Sequence, residues 1–220
     1  MNAIDSPDYV KSNTKMSRNP SVREELRSIL SACKHVDLQV KDDLILKETE
    51  KAIKALSDTV EKFGNIWLCG NGFGFSLAVD VAYKLTTQTS RLERTTRATV
   101  LGLNGAIAST DYGKYGPAES LASELAVQAR SIDSLWCFAP DPSSKSLLTV
   151  VNKAYIDLGI PVVVFTSYPG TPLIRNTAAK IRFNLDDDRD RANYCVENAH
   201  RFMAHLVCNQ LKRVSRKAQK

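Results

Sequence analysis

Five short segments of strand character are separated along this chain by longer stretches whose apolar positions recur every three or four residues. The strand-like segments are 66–69, 98–103, 134–139, 161–166 and 180–185. The run Pro161-Val162-Val163-Val164-Phe165-Thr166 is apolar almost throughout, as suits a strand buried on both faces of a parallel sheet. After the first strand, Leu77, Val81 and Leu85 form one stripe of an amphipathic helix. Further helices are predicted from Pro117 to about Arg130, from Ser143 or Ser144 to Gly159, over 171–178, and from Arg189 to Val214. The last carries Val196, Ala199, Met203, Leu206 and Val207 on its inner stripe. Two more helices precede the first strand. One begins at Pro20-Ser21, with Glu24 completing a capping box and Leu26, Ile29, Leu30 and Cys33 at helical spacing. The other spans 42–62, with Ile45, Leu46, Ala52, Ile53, Leu56 and Val60 apolar.

Strands alternating with helices predict an α/β fold: a doubly wound, five-stranded parallel sheet in a flavodoxin-like three-layer sandwich, with two extra N-terminal helices. Packing of those helices against another subunit is the expected way to cover their apolar faces. Residues 1–19 are polar and expected to form a disordered leader, 20–214 a single domain, and 215–220 a basic tail.

Charge changes this picture little. The net charge is +6, but Lys212, Arg213, Arg216, Lys217 and Lys220 supply +5 of it in the last nine residues. Cations at a helix end complement its dipole, so nucleic acid is not the expected partner. No apolar stretch approaches the ~20 residues of a membrane span, and the N-terminus lacks a signal-peptide pattern, so a cytoplasmic protein is expected. Five scattered cysteines without a C-x-x-C pair are expected to be reduced thiols.

Candidate chemistry lies at two strand-to-helix turns. The first, Gly70-Asn71-Gly72-Phe73-Gly74, opens a helix whose first N–H groups lack internal partners and sit at the positive end of the dipole. A tight turn without a ligand is the alternative, and the spacing fits neither a Walker motif nor a complete dinucleotide fingerprint. The second turn carries Asp141, Ser143, Ser144 and Ser146, where a serine can cap the helix and its hydroxyl can bind an anion. In such sheets ligands sit beyond the C-terminal ends of the strands, where both turns fall.

The two turns, the Asp111-Tyr112-Gly113 loop, the Gly159-Ile160-Pro161 entry to a valine-rich strand, and a C-terminal helix with Glu197, His200 and His205 together resemble the sugar isomerase (SIS) domain over about residues 22–213. Within it the chain looks most like the phosphoheptose isomerase branch. That resemblance implies a cytoplasmic homotetramer (a dimer being the alternative) that binds a sugar phosphate such as sedoheptulose 7-phosphate and interconverts ketose and aldose. It implies substrate-binding roles for Gly70, Asn71, Gly72, Phe73, Gly74, Asp111, Asp141, Ser143, Ser144 and Ser146. The family's first turn reads G-N-G-G-S-A, so Gly74 stands where its phosphate-binding serine would be; Asp141 replaces another serine, and Ser144 matches one. The family's H-x-x-x-E, a zinc ligand and catalytic base, is here Asp80 and Lys84. Its later glutamine and histidine are Glu197 and His205. The resemblance thus implies His205, Glu197 and Lys84 as catalytic candidates, and Asp80, Glu197 and His205 as a zinc site. Glu197 and His205 lie about 80° apart on a helix and share a side. The simpler reading makes Asp80–Lys84 and Glu197–Arg201 helical ion pairs and the histidines structural. Alternatives to an isomerase are a non-catalytic protein that binds a sugar phosphate or nucleotide sugar, and one that docks on a partner such as a replication initiator.

Overall fold

The computed structural model describes residues 23, 24, 27, 31, 34, 39–89, 96–105, 116, 118–167, 172–183 and 189–217. The predicted leader, the Asp111 loop and Asp186–Asp188 lie outside these residues. Of the first predicted helix only Arg23, Glu24, Arg27, Ser31 and Lys34 are described, and each is helical.

In chain order the elements are α1 (Asp43–Glu61), β1 (Asn65–Gly70), α2 (Phe73–Thr89), β2 (Arg97–Val100), α3 (Ser120–Gln128), β3 (Ser134–Ala139), α4 (Lys145–Asn152), β4 (Val162–Thr166), β5 (Ala179–Arg182) and α5 (Arg189–Lys217). A π turn, Lys153–Asp157, extends α4, and a 3-10 turn, Pro172–Ile174, precedes β5. All strand pairs are parallel, in the order β2-β1-β3-β4-β5. The strand order therefore reverses between β1 and β3, the point where doubly wound sheets hold ligands.

Residue alternation along the strands builds two cores, one on each face of the sheet. Leu68, Trp136, Phe138, Val163 and Phe165 face α1, α2 and α5, while Trp67, Cys69, Leu135, Cys137 and Val164 face α3 and α4. Leu77, Val81 and Leu85 are fully buried, as the stripe on α2 predicts.

Several expectations need correction. The second strand stops at Val100, because Leu101 donates its N–H to the Leu68 carbonyl and the chain then turns. Helix 171–178 is only the 3-10 turn, and β5 begins at Ala179 and ends at Arg182. α2 continues to Thr89, into what reads as a polar linker, and α3 starts at Ser120 instead of Pro117. α5 runs past Val214 to Lys217, so the basic tail begins as helix. Leu206 is 38% and Leu46 46% exposed, off the inner stripes assigned to them. α1 buries Ile45, Ala52 and Leu56 within its own chain, and Glu48 on it accepts the Lys180 N–H at 2.9 Å. Cys69, Cys137 and Cys208 are free thiols, but Cys195 is disulfide-bonded, against the expectation of thiols throughout. Among the described residues no helix is long and apolar enough to cross a membrane.

Candidate functional site

The first turn is shaped by close backbone packing. Gly72 adopts φ +50°, which a side chain disfavours. The Gly74 N–H donates to the Asn71 carbonyl at 2.8 Å and the Phe75 N–H to that of Gly72 at 3.2 Å, closing the turn at the start of α2. A Cβ on Gly70 would collide with the backbone of Gly74 and Phe75, and one on Gly74 with the carbonyl of Phe138 at the end of β3. The glycines are therefore required by this contact between α2 and the β3 end whether or not a ligand binds.

The second turn is tied to the first. Asn71 Nδ2 donates to the Asp141 carbonyl at 3.1 Å. The Asp141 carboxylate is occupied locally, accepting the Ser143 N–H at 2.9 Å. Ser144 caps α4, its Oγ accepting the Leu147 N–H at 3.4 Å.

Between the turns lies a cavity of about 260 Å³. Of the predicted substrate-binding residues, Gly70, Asn71, Ser144 and Ser146 line it. Gly72, Phe73, Gly74, Asp141 and Ser143 are not among its lining residues, and Asp111 lies outside the described residues. Gly72 and Ser143 are exposed, Gly74 packs on β3, and the Phe73 ring lies under the Arg201 guanidinium, 5.2 Å from its centroid. Sequence reasoning missed Phe75, Ser120 and Glu124, which also line it. Ser120 and Glu124 are buried on α3, and Glu124 Oε2 accepts the Gly102 N–H at 2.7 Å. Their one sequence signal is a polar pair at i, i+4 beside the buried Ala122 and Leu125.

A second cluster lies on the seam between α2 and α5. His205 Nε2 is 3.0 Å from Asp80 Oδ2 and in close contact with Lys84 Nζ, and Asp80 and Lys84 are 3.9 Å apart. One nitrogen thus faces a carboxylate and an ammonium. With its lone pair on Nε2 it accepts from Lys84; with a proton there it donates to Asp80. The predicted Asp80–Lys84 pair exists, and His205 joins it.

Glu197 does not join the cluster. It shares a side of α5 with His205, but eight residues at 1.5 Å each separate them by about 12 Å along the axis. Burial raises the Glu197 carboxyl above its ordinary value. Among the described residues no three His, Cys, Asp or Glu side chains are placed to hold a metal ion. The Lys84 ammonium also stands against the histidine nitrogen that a metal would need, so this arrangement does not fit the expected zinc site. Arg201, spaced to pair with Glu197, lies over Phe73. His200 is a core residue: buried near Phe165 and Phe183, with Nε2 3.3 Å from the Thr166 carbonyl. Burial lowers its pKa to about 4.

No family model matches the chain. Its sequence is 26% identical over 171 residues to a phosphoheptose isomerase of Helicobacter pylori (strain P12), covering 74% of this chain and 82% of that protein. Its fold is similar to a phosphoheptose isomerase from Francisella tularensis, with a TM-score of 0.76 at 20% identity over 88% of this chain and 100% of that one. It is likewise similar to phosphoheptose isomerase GmhA from Neisseria gonorrhoeae, with a TM-score of 0.74 at 16% identity over 87% and 98% of the respective chains.

Proposed function

We propose that this chain, phosphoheptose isomerase-like in sequence and in fold, binds a phosphorylated sugar in the cavity between its two strand-to-helix turns. The observation carrying this reading is the convergence of Gly70 and Asn71 with Ser144 and Ser146 on one cavity at the switch point of the sheet. The first turn of α4 presents backbone N–H groups at the positive end of its dipole, and the Ser144 and Ser146 hydroxyls can donate beside them. The Asp141 carboxylate, which would repel a phosphate, is turned to Ser143. At about 260 Å³ the cavity is smaller than the ~300–1,000 Å³ typical of drug-sized ligands, which favours a monosaccharide phosphate over a nucleotide sugar.

The Asp80–Lys84–His205 cluster favours a second reading, in which the bound sugar is also isomerised. Ketose–aldose interconversion moves a proton between adjacent carbons through an enediol, and needs a base at carbon and an acid at the carbonyl oxygen. In this reading the His205 imidazole is the acid/base that takes the proton from one carbon and returns it to the next, and Asp80 steadies the imidazolium formed in between. Lys84 donates toward the carbonyl oxygen, and Glu197 is the further candidate proton acceptor. A homotetramer with its sites between subunits is the assembly that the resemblance suggests.

Titration calorimetry with sedoheptulose 7-phosphate tests the first reading. Ser144→Asp keeps a good helix cap but adds a negative charge, and is expected to abolish binding. Absence of binding to the unaltered protein, or binding indifferent to S144D, would sink the phosphosugar reading. NMR of the same mixture tests the second: turnover is expected and should vanish in His205→Ala. Binding without turnover in the unaltered protein leaves a sugar-phosphate binder and removes the isomerase.

A further inference from the structure

Independently of the phosphosugar reading, we propose that a basic groove between α1 and the edge strand β5 binds an oligophosphate chain, such as a triphosphate.

The groove has a volume of about 590 Å³. β5 ends the sheet and lies two strands from β3, about 10 Å at ordinary strand spacing. The groove and the cavity between the two turns have no lining residue in common. Five cations line the groove against three carboxylates. Lys47, Lys51 and Lys54 follow i, i+4, i+7 spacing and so share one face of α1, over about 10 Å of helix. Lys180 and Arg182 are alternate residues of β5, about 7 Å apart along the strand.

Two of the three carboxylates are already engaged. Asp42 caps α1, its side chain accepting the Leu44 N–H at 2.8 Å. Glu48 Oε1 accepts from Lys51 Nζ at 2.6 Å, and its Oε2 accepts the Lys180 N–H at 2.9 Å. The third, Glu50, is exposed on α1. Lys47, Lys54 and Arg182 form no ion pair with a described carboxylate. Arg182 is half-buried. A partly desolvated cation without a counter-charge is costly, and an anionic ligand relieves that cost.

Spacing decides the class of ligand. Cations strung over about 10 Å on two walls fit an extended polyanion better than a single phosphate. The Arg182 fork suits pairs of phosphate oxygens, and the lysines add point charges along the chain. Among the described residues the lining has no aromatic ring, so it offers no stacking platform for a base. A plainer role for Lys180 and Arg182 is to keep another strand off the sheet edge. That role does not account for the three lysines lining the same groove from α1.

The test is titration calorimetry of the full chain with inorganic tripolyphosphate, without divalent cations. Binding is expected, and its absence overturns the inference. Lys54→Glu should weaken it at least about tenfold. Lys62→Glu, at the other end of α1, makes the same change of net charge outside the groove and should leave the affinity within about twofold. Both positions are exposed, and glutamate suits a helix as well as lysine does. Equal weakening by the two variants means diffuse attraction to a basic protein and overturns the inference. Lys47→Gln and Arg182→Gln remove charge without reversing it, and each should weaken binding about threefold or more. If neither has an effect, the inference is overturned. ATP should bind no more tightly than tripolyphosphate. A clear gain for ATP, or for a single-stranded oligonucleotide, means that bases are read and overturns the class of ligand. Release of bound tripolyphosphate by saturating sedoheptulose 7-phosphate places it in the cavity between the turns and also overturns the inference. If tripolyphosphate binds and the sugar phosphate does not, the phosphosugar reading fails and this one stands.

Discussion

The cavity and the α2–α5 seam share helix α2 but are held by different parts of the chain. The cavity is fixed by the main chain. Gly70 and Gly74 bring α2 against the end of β3, Asn71 bonds to the backbone of the second turn, and Ser144 caps α4. The seam is fixed by side chains. Asp80, Lys84 and His205 meet across two helices whose packing rests on buried neighbours such as Leu77, Val81, Met203 and Val207. The three side chains keep 22–35% of their surface exposed, where such pairs add little stability. Substitution is therefore structurally expensive at the turn and cheap at the seam. The departures from the family pattern fall on both: Gly74 at the rigid place, Asp80 and Lys84 at the tolerant one.

The largest effect should come from the rigid place. Gly74→Ser forces a Cβ onto the Phe138 carbonyl and is expected to destabilise by about 3 kcal/mol or more. For a chain of this size that lowers the melting temperature by roughly 6–12 °C. A variant melting within a degree of the parent would break the contrast. Next comes His200, on the seam helix but built into the core. Its folded pKa is about 4 against about 6.5 in the unfolded chain, so the unfolded state takes up the proton first as pH falls. Its contribution is fully present above pH ~6.5, is lost progressively toward pH ~4, and amounts to at most about 3 kcal/mol. Urea denaturation at pH 7 and pH 4.5 measures it, and His200→Gln should flatten that part of the pH dependence. A third test returns to the cavity: Ser144→Ala removes a helix cap and should cost about 1 kcal/mol. The smallest stability change is expected at the seam, where His205→Ala should alter unfolding free energy by less than about 1 kcal/mol. A loss as large as that of G74S would show that the seam, too, is structural.

Much of the fold was legible because strand and helix periodicities are local. The third strand spans 134–139 as read, and the first and fourth differ only at their ends. What was not legible depended on distant partners. The apolar run 98–103 cannot show that Leu101 pairs with Leu68, or that Gly102 turns to meet a carboxylate from α3. The same holds at the candidate site. Asn71 and Ser144 announce themselves through turn and capping chemistry, whereas Glu124 reaches the cavity from a helix over 50 residues beyond the first turn. Among the described residues the expected metal set is not gathered in this arrangement. Glu197 and His205 share a helical azimuth, but an azimuth says nothing of distance along the axis. Lys84 read as an i, i+4 partner of Asp80 and, by resemblance, as a catalytic candidate, but that it stands against His205 shows only once α5 packs across it.

The interlock of Gly70 and Gly74 with the β3 end also bears on how this turn can change. A serine at position 74 cannot be installed by a single replacement without moving the backbone, since the Phe138 carbonyl occupies the space its side chain would need. A serine-held anion at this turn therefore requires the β3 end to shift as well.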